Sequence, residues 1–167
     1  MIVDPLIFNS SLRRFNVASK PMLICVSNIC DDLRLDDFCS LVTTGTKILV
    51  GDGPYLERLK TIYGDVHFVP ARCDDRLAHY YANADVLVCP NGLQGNPRII
   101  PQAICCGTPI ATRSHCLTDD LIIKHVTGEI MDDLSMAIER CLDLERDTIE
   151  QLGHLLFSRQ NNLISHL

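Results

Sequence analysis

Basic residues are in short supply in this chain: 15 Lys and Arg stand against 21 Asp and Glu, for a net charge of −6. A broad nucleic-acid surface needs clustered cations for phosphate, so that class is excluded. No apolar run approaches the length of a membrane span. The start, MIVDPLIFNSSLRRF, lacks a basic head followed by a long apolar stretch, so it reads as a poor signal peptide and the expected location is the cytoplasm. Cys-x-x-Cys pairs are missing too, although there are nine cysteines. Cys25, Cys89 and Cys105 sit in apolar runs, where a free thiol behaves as a small hydrophobe, and Cys105 and Cys106 are adjacent, too close for an easy disulfide. A reduced protein is therefore expected, with no metal site. A zinc site drawn from Cys30, Cys73, Cys116 and a His has no supporting ligand spacing.

Hydrophobic residues make up 47% of the 167, enough for a sizeable core and consistent with one domain. Short apolar runs recur at 21–27, 46–51, 66–70, 84–90 and 108–113, with a weaker sixth at 127–131. Most are continuous, as strands buried on both faces are. Helical spacing lies between them: Leu56, Leu59 and Ile62; Leu77, Tyr80, Tyr81 and Ala84; Leu134, Ala137, Ile138, Cys141 and Leu142. The alternation predicts an α/β fold with a doubly wound parallel sheet of five or six strands. Residues 1–20 form a leading segment, 21–145 the domain proper, and 146–167 one or two terminal helices.

Three loops carry candidate chemistry. In VGDGPYLERL a strand ends at Val50, Gly51, Asp52 and Gly53 turn, and Pro54 opens a helix. Backbone N–H groups there could meet a phosphate or sugar, or the segment could be an ordinary turn. In GLQGNPRIIPQ, which follows a buried strand, Gln94, Asn96, Arg98 and Gln102 are candidates to bind hydroxyls. The alternative is a polar loop leading into a short helix, with Gln102 on its first solvent-facing turn. In CCGTPIATRSHC, Gly107 ends a helix and Pro109 prevents its continuation, and His115 is a candidate lining residue.

VDPLIF, KILVGDGPYLERL, VHFVPARCDDRLAHYYANADVLVCP, PQAICCGTPIAT and DDLSMAIERCL, in this order, resemble the carboxy-terminal half of the retaining GT-B glycosyltransferases, from Val3 to about Ser158. The resemblance implies a single Rossmann-like GT-B half that holds a nucleotide-sugar donor, with the acceptor domain expected to be absent from this chain. It implies sugar transfer with retention. It also implies a basic pair for the donor diphosphate at the positions of Asn28 and Leu33, and two acids for donor hydroxyls at those of Gln94 and Gln102. A Phe-Gly falls at Asn96 and Pro97. None of these charges is present, Arg34 is one residue out of register, and Pro97 has no N–H to offer. The expectation is thus a glycosyltransferase-like donor domain, catalytically degenerate and acting as a binding or partner module. The alternative is the donor half of a split retaining enzyme completed by a separate acceptor domain. No cofactor is implied. The expected partners are a weakly held nucleotide sugar and another protein or a second copy.

Overall fold

The computed structural model describes residues 2–13, 20–92, 96–114 and 120–158. Its elements in chain order are β1 (Met22–Val26), α1 (Leu35–Cys39), β2 (Thr46–Val50), α2 (Leu56–Ile62), β3 (Val66–Val69), α3 (Asp74–Asn83), β4 (Val86–Cys89), α4 (Ile99–Cys105), β5 (Ile110–Thr112), β6 (Gly128–Ile130), α5 (Leu134–Cys141) and α6 (Arg146–Phe157). The six strands form one sheet in the order β3-β2-β1-β4-β5-β6. Every pairing is parallel. All six apolar runs read from the sequence are strands of this sheet. The order reverses between β1 and β4, the switch point of a doubly wound sheet, where ligands collect beyond the strands' carboxyl ends.

Alternation along each strand feeds two cores. Ile24, Leu87, Cys89 and Ile110 face one side, with Leu77, Tyr81, Ile100, Ile104 and Ile149 from the helices there. Leu23, Cys25, Val86, Val88 and Ala111 face the other, against Leu35, Phe38, Leu59, Leu134 and Ala137. Each large aliphatic side chain so buried contributes about 1.5–3 kcal/mol. The leading segment joins the first core through Val3 and Phe8. The Val3 N–H donates to Phe157 O at 2.6 Å, tying the start of the chain to the end of α6.

Two helical readings need correction. Ile62 and Leu142 are exposed at 52% and 45%, not buried with their neighbours. A helix turns about 100° per residue, so two steps of three carry Ile62 about 120° away from Leu56. Leu142 is the residue that caps α5 at its carboxyl end. α4 departs further from its sequence reading: all seven of its residues are buried. Its outer face is covered by α6, where Gly153 permits close approach; a Cβ there would lie 2.8 Å from the Cys105 nitrogen. Pro101 is accommodated because it is the third residue of α4, where the missing N–H has no intrahelical partner to lose. Gly107, at φ +74°, ends the helix as the sequence predicts.

The eight described cysteines are all free, and six of them are buried; Cys116 lies outside the described residues. Burial pushes the thiols of Cys39, Cys105 and Cys141 up to about 12, and raises Cys25 and Cys106 as well. Only the thiolate is nucleophilic, so these groups are inert in the folded state. Iodoacetamide should label exposed Cys73 first and half-buried Cys30 more slowly. The six buried thiols should react only after denaturation, as read by peptide mass spectrometry. Rapid native-state labelling of Cys106 would contradict this core.

Candidate functional site

The carboxyl ends of β1, β2 and β3 meet the start of α4 around a cavity of about 180 Å³. Val26, Val50, Leu77 and Ile99 provide its apolar wall, and Asn28, Asp52, Arg72 and Asn96 its polar groups. Several sequence candidates thus come together at the sheet edge.

The glycines of the second loop serve a close approach between backbones. The loops after β1 and β2 run side by side, with Ser27 N donating to Val50 O and Ile29 N to Asp52 O, both at 3.0 Å. A Cβ on Gly51 would sit 1.8 Å from Ser27 O, and one on Gly53 would sit 2.2 Å from Ile29 O. The Gly51 N–H is spent on Val69 O at 2.9 Å, so it does not point at a ligand. Asp52 acts on the next loop: its Oδ2 accepts the Ala71 N–H at 3.0 Å. That bond fixes the backbone beside Arg72, which is exposed and has no ion pair or hydrogen bond among the described residues.

At the start of α4, Asn96 Oδ1 accepts the Arg98 N–H at 3.0 Å, an Asx turn that places Pro97 and Arg98 on the exposed approach to the helix. Gln102 is not solvent-facing, as the alternative reading had it, but only 5% exposed. Its Oε1 accepts the hydroxyl of Tyr81 at 3.4 Å, and burial raises the Tyr81 phenol well above its ordinary value. Gln102 is absent from the cavity lining. Gln94 and His115 lie outside the described residues.

The two positions matched to the missing cations differ in placement. Asn28 faces the cavity, whereas Leu33 packs against the second core. The sequence reading overlooked Arg72. Its signal was a cation between a buried strand and the helix after it, at the edge where ligands collect. Among the described lining residues Arg72 is the one cation and Asp52 the one carboxylate. Chemically, the cavity offers amides for hydroxyls or base edges and a guanidinium for an anion.

A family model for glycosyl transferases group 1 matches residues 20–147. A curated GDP-mannose-dependent alpha-mannosyltransferase of Mycobacterium tuberculosis is 27% identical over 150 residues, covering 89% of this chain and 38% of that protein. Among solved structures, sucrose-phosphate synthase from Thermosynechococcus elongatus superposes with a TM-score of 0.75 at 21% identity, over 98% of this chain and 49% of that one. Anabaena HepE, solved with UDP and glucose, gives 0.74 at 19% identity, over 99% of this chain and 54% of that one. The chain therefore spans about half, or less, of the length of the proteins it matches. Among the described residues no helix is long and apolar enough to cross a membrane.

Proposed function

The chain belongs to the group 1 glycosyl transferases, and from that premise we propose that it is a donor-side domain whose site holds a nucleotide sugar weakly and no longer supports transfer. Asn28 carries this reading. It faces the cavity where the family resemblance places an arginine, and an amide cannot neutralise a diphosphate. Leu33, matched to the second cation, is half-buried against the second core and adds no charge. The ligand class follows from the relatives, one GDP-mannose-dependent and one solved with UDP and glucose. The domain then acts as a binding or partner module. Leu6, Leu155 and Leu156, exposed at 88%, 60% and 52%, are the apolar groups that a protein partner or second copy would cover.

Calorimetric titration with UDP-glucose, GDP-mannose and related nucleotide sugars tests the reading. Losing charge-assisted bonds worth about 1.5–3 kcal/mol each moves binding to the millimolar range. Micromolar binding by the unaltered chain would overturn it and favour a split enzyme completed by a separate acceptor domain.

A further inference from the structure

Away from the donor edge, beside the start of β1, the loop between α1 and β2 and one face of α5 line an open cavity of about 210 Å³. Its floor is apolar: Leu23 and Ile138 are buried and Leu41 half-buried. Its rim is apolar too. Leu142 is partly exposed there, and Val42 is 99% exposed, so Val42 contributes no burial to this fold. The loop that presents Val42 is nevertheless fixed. Lys47, a buried cation at the start of β2, donates to the carbonyl oxygens of Cys39 and, at 2.8 Å, Leu41, and pairs with Asp65 at 2.8 Å. Thr43 Oγ1 accepts the Gly45 N–H at 3.0 Å, and the Thr46 N–H donates to Pro21 O at 2.9 Å. An apolar side chain is thus held in water beside an apolar hollow by a charge taken out of water, which is the arrangement of a preformed site.

Charge says what the hollow takes. Among the described lining residues Glu139 is the one charged group. Asp143 follows it four residues on, and Arg140 is the one cation in the last turn of α5. This end of the helix therefore keeps a net negative charge, added to the partial negative charge of a helix carboxyl terminus. Lys20, next to the lining residue Pro21, is taken up by Asp85 at 3.3 Å. The chain as a whole carries −6. A cation is the complement of this rim. Size limits the apolar part: a cavity of about 150 Å³ takes up benzene, so one of about 210 Å³ suits a single leucine or phenylalanine side chain. A free molecule of that size would fill the hollow and leave Val42 bare, whereas a protein surface covers both.

We propose that this groove docks a segment of a protein partner in which a large apolar side chain is followed by a lysine or arginine. The apolar side chain seats on Leu23, Leu41 and Ile138, the partner's flanking atoms cover Val42 and Leu142, and the cation meets Glu139. In taking a protein as the occupant, the proposal rests on the partner-module reading above and names the chemistry of that partner. It uses no residue of the donor cavity.

The test is an NMR titration of the whole nitrogen-15-labelled chain at low salt with the peptide acetyl-Gly-Leu-Arg-Gly-amide. Acetyl-Gly-Leu-Glu-Gly-amide and acetyl-Gly-Ala-Arg-Gly-amide serve as separate arms. The first peptide should bind in the millimolar range and shift the amide signals of Leu23, Val42, Ile138 and Leu142, and both others should bind more weakly. Three surface variants accompany it, each expected to melt like the unaltered chain. Glu139→Gln should weaken binding about threefold, as an exposed charge pair does. Val42→Ser should weaken it as well, and Ser135→Arg, which places a bulky cation at the mouth of the groove, should abolish it. No shift at the groove, equal binding of the glutamate peptide, or indifference to Ser135→Arg overturns the proposal. Self-association by light scattering that Val42→Ser removes would give the groove to a second copy and overturn it too. Peptide binding together with micromolar UDP-glucose binding would keep the groove and overturn the degenerate-donor reading; millimolar UDP-glucose binding without peptide binding would do the reverse.

Discussion

Incubated with UDP-glucose, GDP-mannose or another common nucleotide sugar, the purified chain is expected to release nucleoside diphosphate no faster than buffer does. Breaking the bond to the sugar leaves about two negative charges on the diphosphate, and catalysis depends on preorganised charge where that leaving group develops. Removing one such stabilising donor costs about 10²–10³ in rate, and here two matched positions lack it together. Asn28 reaches the cavity without charge, and Leu33 packs half-buried against the second core. Arg72 brings a cation to the rim but stands exposed, where solvent screens it. Arg34 and Arg113 are both paired with Asp37.

The structure also ranks the restorations. Asn28→Arg puts a cation into an existing cavity and should tighten donor binding about tenfold. Leu33→Lys gives up a half-buried apolar contact with the second core, and Gln102→Glu would bury a carboxylate beside the Tyr81 hydroxyl. Both should cost stability before they help binding. A coupled assay of nucleoside-diphosphate release, run with and without a separately encoded acceptor domain, reads the outcome. Turnover above background by the unaltered chain would sink the degenerate-site reading.

The strands were legible because a parallel sheet covered on both faces needs continuous apolar runs, and these were of strand length and flanked by glycine, proline and aspartate. β6 was the faintest because its middle residue is Glu129, 2% exposed and paired through Oε1 with His125 at 2.9 Å. Helix faces were less legible. α2 has only seven residues, so one misplaced apolar side chain, Ile62, changes the reading of a whole face. The burial of Gln102 depended on α4 packing beside α3, where its amide meets the Tyr81 hydroxyl, a contact between residues 21 apart that no local pattern carries. The loop glycines were visible, but their reason was not. Gly51 and Gly53 answer to the Ser27 and Ile29 carbonyls of another loop. Arg72 acquires meaning only once strands distant in sequence lie side by side.

The cysteine-rich core carries its own consequence, a steep loss of stability in mild alkali. Cys39, Cys105 and Cys141 are pushed up to about 12 from an ordinary value of 9.0, and Cys25 and Cys106 are also raised, in each case chiefly by burial. In the unfolded chain these thiols ionise near 9; in the folded chain they stay neutral. Folding therefore keeps protons that the unfolded state releases. The stability this contributes is complete below pH 9 and drains away as the pH rises toward the folded values. Each such group costs about 1.4 kcal/mol per pH unit in that window, so five acting together draw several kcal/mol by pH 10, comparable with the roughly 5–15 kcal/mol that holds a domain. Buried Tyr81, raised in the same direction, adds to the loss above pH 10. Arg146 works the other way. Burial lowers it from 12.5 to about 10, so its contribution grows only above that pH, too late to offset the thiols. Urea unfolding between pH 7.5 and 10 should show stability that is flat up to about pH 8.5 and then falls steeply. Replacing Cys105 and Cys106 together by Ala should reduce the slope of that fall by about 2 kcal/mol per pH unit as the pH nears 10, whatever the cavities do to the plateau. A slope unchanged by the double replacement, or stability constant to pH 10, would show that the buried thiols do not govern the alkaline limit.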